Sequence, residues 1–187
     1  MTDLAETPRM PFDPKILQTP RLVLRPPRDE DAQSIFDNYA SDHDVTRFVS
    51  WPRHETVEDS RRFIELSHSE WARWPAGPLL IESRVDKRLI GATGLAFEKP
   101  YRASTGYVLS QGAWGAGFAT EAVRAVARLA QASGVLRLYA VCHAHHFAAV
   151  RVLERSGFLR EGVMRRYRIF PNLHDPTPQD VGLYART

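Results

Sequence analysis

One stretch constrains the fold more than any other: Trp114-Gly115-Ala116-Gly117-Phe118-Ala119. It follows an apolar run, Gly106 to Ser110, and opens a run with helical periodicity, Thr120 to Gln131. Beyond that helix, Leu136 to Cys142 is almost continuously apolar, as expected of a strand covered on both faces. The small-residue turn between strand and helix gathers several backbone N–H groups at a helix N-terminus. Such a place suits a phosphate or pyrophosphate. The turn is not a P-loop, because the Lys of Gly-x4-Gly-Lys-Ser/Thr is missing. Nor is it a dinucleotide fingerprint. Gly115-x-Gly117 is followed by Thr120 at the third position, and no acid ends the next strand to hold a ribose.

The rest of the chain supplies the elements around this unit. Arg21-Leu22-Val23-Leu24-Arg25 alternates and stops at Pro26-Pro27, which predicts a strand. Ala32, Ile35, Phe36, Tyr39 and Ala40 repeat as one face of an amphipathic helix, with Asp29, Glu30 and Asp31 favouring its N-terminus. Thr56-Val57-Glu58-Asp59 fits a capping box that opens a second helix, stopped by Pro75 and Gly77. Leu79–Ile81, Leu89–Phe97 and Thr105–Ser110 are strand-length apolar runs, and Val85 to Arg88 is a hairpin turn between the first two. A short helix, Phe147 to Ser156, closes at Gly157. Phe158–Phe170 and Gln179–Ala185 are the final strands. The order β-α-α-β-β-β-α-β-α-β-β predicts one α+β domain over residues 16–187 around a mixed sheet, preceded by a loose tail at 1–15.

Charge and composition narrow the function classes. The 187 residues carry 25 Lys and Arg against 22 Asp and Glu, a formal charge of +3, so nucleic acid is not expected as the main partner. The best local argument for RNA is Arg165-Arg166-Tyr167-Arg168. Yet Val163, Tyr167 and Ile169 make that run read as a strand with one polar face. Cys142 is the single cysteine, so no internal disulfide forms, which fits a reducing cytoplasm. Residues 1–14 do not resemble a secretory signal, and no run is long enough to span a membrane.

Taken together, the turn Trp114–Ala119 with Thr120-Glu121-Ala122, the apolar strand after it, and Arg151-Val152-Leu153-Glu154-Arg155-Ser156-Gly157-Phe158 resemble the GNAT superfamily of acyl-CoA N-acyltransferases. The nearest likeness is to its RimJ/RimL branch. Thr19–Arg25, Ile90-Gly91, Gly106-Tyr107 and Asp180–Tyr184 are similar too, so the likeness spans about residues 17–185. It implies a mostly antiparallel, twisted sheet of about seven strands flanked by about four helices, with splayed central strands. It also implies acetyl-CoA as co-substrate and a primary amine, on a protein N-terminus or a small molecule, as acceptor. The CoA pyrophosphate would rest on the amides of Trp114, Gly115, Ala116, Gly117, Phe118, Ala119 and Thr120. The pantetheine arm would pair with the edge at Val108 and Leu109. No metal is expected, and a homodimer is compatible with the reading.

The likeness breaks down where protons must move. Ser104 stands where the branch often has an acid, His146 where an Asn is usual, Ala149 where a Ser is proposed as proton donor, and Leu153 where a Tyr is common elsewhere. Four residues are left as candidates. His143 could act as a base near neutral pH. His146 could touch cofactor or substrate, or simply cap the next helix. Glu98 could act as a base through water, and Ser104 could position that water. His143, His145 and His146 beside Cys142 are incomplete as a zinc site, because alternation turns His143 and His145 to one side and no third ligand is identified. Phe48, Trp51, Trp71 and Trp74 could line a slot for a cationic acceptor, or could pack the core. The missing acid, Asn and Ser leave an alternative open: a CoA-binding sensor or interaction domain of this fold without catalysis.

Overall fold

Eight strands among the described residues form one sheet in the order β1-β2-β3-β4-β5-β6-β8-β7. The computed structural model describes residues 16–74 and 76–187, so the expected tail at 1–15 lies outside the described residues. In chain order these are β1 (Leu17–Gln18), β2 (Leu22–Arg25), β3 (Pro78–Ser83), β4 (Leu89–Lys99), β5 (Arg102–Leu109), β6 (Arg137–His143), β7 (Leu159–Arg168) and β8 (Gln179–Arg186). The helices are α1 (Ala32–Ile35), α2 (His43–Thr46), α3 (Val57–Arg73), α4 (Phe118–Ala132) and α5 (Phe147–Arg155). The fold is the expected α+β class with one mixed sheet. The strand and helix beyond the expected counts, β1 and α2, are too short to leave a periodic signal in sequence.

Two apolar clusters cover the two faces of the sheet. Leu79 and Ile81 of β3 join α4 residues Val123, Val126 and Leu129, while Leu80 joins Ile35, Tyr39 and Ile64 on the opposite face. This is the period-two alternation of a strand working between two layers of helices. Helix α4 buries Ala122, Ala125, Ala127 and Ala130 beside the larger side chains, so it lies close against the sheet. Burial of Val126 or Leu129 contributes about 2 kcal/mol each.

The capping box is present at Thr56 and Asp59. The segment expected as one helix over 32–40 changes form: α1 passes into a π-helical turn, Phe36–Ala40, closed by the Ser41 N–H on the Phe36 carbonyl at 3.2 Å. Asp31, at its start, is nearly buried and takes a bidentate bond from Arg25 at 2.7 Å. Burial by itself would raise the Asp31 carboxyl, but the bonds from Arg25 and the Arg28 amide hold it below its ordinary value.

The Arg165–Arg168 run departs from the expected one-faced strand. Five residues of β7, Met164 to Arg168, span three of β8, Val181 to Gln179. Arg166 adopts φ 47°, and its N–H donates to Asp180 Oδ1 at 2.8 Å. No residue of β7 is buried, so Val163 and Tyr167 are exposed rather than turned to the core, and the bulge breaks the alternation at Tyr167.

One pairing decides the shape of the site. Among the described residues β5 and β6 are the single parallel pair, and they pair at Arg102↔Arg137, Ala103↔Leu138 and Ser104↔Tyr139. Beyond Ser104 and Tyr139 the two strands no longer pair. The sheet therefore opens as a V between Thr105–Leu109 and Ala140–His143.

Candidate active site

The V ends at the glycine turn. Gly115 and Gly117 both sit in the left-handed region, at φ 75° and 80°. A side chain resists that conformation, so the two glycines are a backbone requirement. Gly117 is the N-cap of α4. The six amides from Gly115 to Thr120 find no hydrogen-bond acceptor among the described residues. Three of them, Phe118 to Thr120, belong to the first turn of the helix, where no intrahelical acceptor exists. The row is a cradle for an anion with the helix dipole behind it.

The strand edge continues this cradle. Ser110 N–H donates to the Ile90 carbonyl at 2.9 Å, so alternation turns the backbones of Leu109 and Tyr107 to the opposite edge, into the V. There the Leu109 carbonyl accepts from Trp114 Nε1 at 2.8 Å, while the Leu109 N–H faces the gap. Val108 packs toward the α1 side. Tyr107 crosses the V on the other face, and its hydroxyl donates to the Ala149 carbonyl at 3.0 Å. Ala149 is the position without the branch's Ser, and the phenol of Tyr107 reaches the backbone there. Burial pushes that phenol above its ordinary value, and burial lifts the Cys142 thiol to about 11. Cys142 is therefore a neutral packing thiol at neutral pH.

The four sequence candidates fall into two groups. Glu98 and Ser104 stand at the closed end of the V. Glu98 accepts from the Tyr139 hydroxyl and pairs with Arg102 Nε at 2.8 Å, so both its oxygens are engaged. Ser104 lies opposite Tyr139 in the parallel pair. Burial and the Glu98 carboxylate together push the Tyr139 phenol up. His143 and His146 stand at the open end, four residues further along β6 and just beyond it, a distance of about 13 Å at strand rise. One water or one substrate amine cannot touch both groups.

At the open end, His143 and His146 both pack on Phe48, each with ring centroids 4.8 Å apart. Phe170 meets His143 edge-on at 5.0 Å. Burial, then the neighbouring charges of His145 and Arg47, lower the His143 imidazole below its usual range. Burial and His143 do the same for His146. His143 Nδ1 accepts the His145 N–H at 3.1 Å, which assigns the ring proton of neutral His143 to Nε2. His143 is thus set up as a donor. His146 begins α5 without a side-chain capping bond, and its ring nitrogens have no partner among the described residues. Of the four aromatics expected in a slot, Phe48 alone contacts the histidines. Trp71 donates to the Pro78 carbonyl, Trp74 stacks on Phe97 and Trp51 tilts against His54. Among the described residues no cluster of three or more His, Cys, Asp or Glu could hold a metal.

Two loops meet beside the open end of the V. Asn172, in the β7–β8 connection, donates to the carbonyls of Thr46 and Trp51 and accepts from the Arg53 N–H, all within 3.0 Å. Beside it, a pocket of about 280 Å³ is lined by His143, His145, Arg166, Gln179 and Asp180.

The Acetyltransferase (GNAT) domain family matches residues 21–159. The chain belongs to the GNAT acetyltransferase family. An N-acetyltransferase of Bacillus subtilis (strain 168), YoaA, itself uncharacterized, is 33% identical over 178 residues, which is 91% of this chain and 95% of that protein. Two solved structures share the fold. The microcin C7 self immunity acetyltransferase MccE, in complex with acetyl-CoA and AMP, is 21% identical with a TM-score of 0.82, covering 93% of this chain and 97% of that one. RimL, the ribosomal L7/L12 alpha-N-protein acetyltransferase in complex with coenzyme A, is 20% identical with a TM-score of 0.81, covering 91% and 97%. This GNAT protein is an acetyl-CoA-dependent acetyltransferase.

The sequence passes over several residues that shape this GNAT site. Arg21 and Thr19 entered only as part of a motif, and Glu121 only as the residue after the turn. Both Tyr107 and Tyr139 lay inside apolar runs. Asn172 gave no signal, because its partners lie more than a hundred residues away.

Proposed function

We propose that this protein transfers the acetyl group of acetyl-CoA to a primary amine, on a protein N-terminus or a small molecule, by direct attack of the neutral amine on the thioester carbonyl. The observation that carries the reading is the continuous row of free amides from Gly115 to Thr120, running into the open edge of β5. The turn amides bind the pyrophosphate, and the Leu109 N–H receives the oxyanion as the carbon–nitrogen bond forms. The carbon–sulfur bond then breaks, and the thiolate takes the proton that the adduct's nitrogen still carries and leaves as the CoA thiol. A protonated amine has no lone pair, so a base takes one proton. Among Glu98, Ser104, His143 and His146, the base is His146. Its ring is uncommitted, is kept neutral by burial and stands at the mouth of the V. His143, with its proton on Nε2, hydrogen-bonds the acceptor. A cytoplasmic location fits both acetyl-CoA use and the single free thiol.

The test is release of free CoA thiol with a panel of amines. His146→Ala should lower kcat by about 100-fold while the KM for acetyl-CoA stays within about twofold. An unchanged kcat rejects His146 as the base. A second reading, a CoA-binding domain without turnover, is favoured by one observation: Glu98 and His143 Nδ1 are both already engaged by the protein. Tight CoA binding with no thiol release across the whole panel supports that reading over the first.

A further inference from the structure

We propose that Arg21 is a positioning residue for the phosphate cradle, holding the Ala116–Gly117 peptide so that the Gly117 N–H faces the ligand. The proposal rests on the acetyl-CoA reading above. Arg21 stands in the connection between β1 and β2, distant in sequence from the turn, and yet it is tied to it from several directions. Its Nη1 donates to the Ala116 carbonyl at 2.8 Å. Its Nε donates to Glu121 Oε2 at 2.7 Å, and its backbone N–H to Glu121 Oε1 at 2.9 Å. Thr19 Oγ1 donates to the same Oε1 at 2.6 Å and accepts the Leu22 N–H at 3.0 Å, which anchors the clamp to β2. The guanidinium also lies over the Phe118 ring, 4.5 Å from its centroid.

The consequence follows from peptide geometry. In a trans peptide the carbonyl and the next N–H point in opposite directions. Fixing the Ala116 carbonyl on Arg21 therefore aims the Gly117 N–H away from Arg21 and outward from the turn. Without that bond, the peptide is flanked by Gly117 and, one residue earlier, Gly115, and glycine tolerates both signs of φ. A rotated peptide would present a carbonyl oxygen, itself an acceptor, to an anionic ligand. The charge of Arg21 is shared with Glu121, so its attraction for phosphate is not the main effect. Two directed bonds from one planar group that also lies over the Phe118 ring are beyond the reach of a lysine.

The test separates phosphate from the rest of the donor. Steady-state kinetics with acetyl-CoA and with S-acetylpantetheine, which lacks the pyrophosphate, are compared for the wild type, Arg21→Ala and Arg21→Lys. Each variant should raise the KM for acetyl-CoA roughly tenfold with kcat unchanged, and leave the KM for S-acetylpantetheine unchanged. The Gly117 amide resonance of the unliganded protein should shift in both variants. An unchanged acetyl-CoA KM, or equal increases for the two donors, overturns the proposal. If Arg21→Ala does not fold, Arg21→Lys and the amide resonance decide the question. If the wild type binds no acetyl-CoA, the functional reading fails, and the amide resonance still reports on the clamp.

Discussion

At Gly117 the backbone is held at φ 80°, and the nearest atom to an added Cβ would be an Arg21 side-chain nitrogen at 3.5 Å. There is room for a methyl group, but the conformation is unfavourable for one. Gly117→Ala should therefore cost about 1 kcal/mol and lower the unfolding midpoint by about 3 °C. It should also raise the KM for acetyl-CoA several-fold with little change in kcat, which differential scanning fluorimetry and saturation kinetics check together. A midpoint and a KM both equal to the wild type would show that the left-handed turn is not required. The two glycines were legible in sequence because they stand one residue apart in one turn. The atom that fixes the peptide between them was not, since Arg21 and Ala116 are 95 positions apart.

Among the elements, those with a local chemical cause were the most legible. Thr56 and Asp59 close a capping box within four residues, and Gly134 and Gly157 end their helices at φ 79° and 85°. Elements without such a cause were missed or misread. Helix α2 is the exception: Asp42 caps the N–H groups of Asp44 and Val45, but a single turn is too short to show a period. The β7 bulge exists because Asp180, on the neighbouring strand, binds the Arg166 N–H. The β7–β8 loop owes its place to Asn172, whose three hydrogen bonds fasten it to the segment between α2 and α3. Asn172→Ala should cost about 2 kcal/mol and raise the KM for the acceptor amine while leaving that for acetyl-CoA unchanged. Urea unfolding and two-substrate kinetics read the two effects, and a change confined to acetyl-CoA would place the loop on the donor side instead.

For the whole molecule, stability should depend on pH through the histidines that the fold encloses. His143 and His146 are both held below the ordinary imidazole value of 6.5. As pH falls through that value, the unfolded chain binds more protons than the folded one, so stability is complete above about pH 6.5 and is lost as the pH falls below it. Carboxylates such as Asp31 and Glu121, whose values are lowered, act only in more acidic solution. Urea midpoints at pH 7.5 and 5.5 should differ in the wild type, and the difference should shrink in the His143→Asn, His146→Asn double variant. Equal midpoints in the wild type would rule out this linkage.

By itself the sequence determined what depends on neighbours along the chain: the α+β order, the helix caps and the small-residue turn that opens α4. Periodicity and turn chemistry are local, so they can be read without a structure. Tertiary structure decided what depends on the meeting of distant segments. It set β5 and β6 to pair over three residues and then diverge, and it brought Arg21 onto the turn. It left Glu98 engaged at one end of the V and His146 uncommitted at the other. Those outcomes come from sheet order and from side chains that close hydrogen bonds across the fold, and neither has a period or a spacing to betray it.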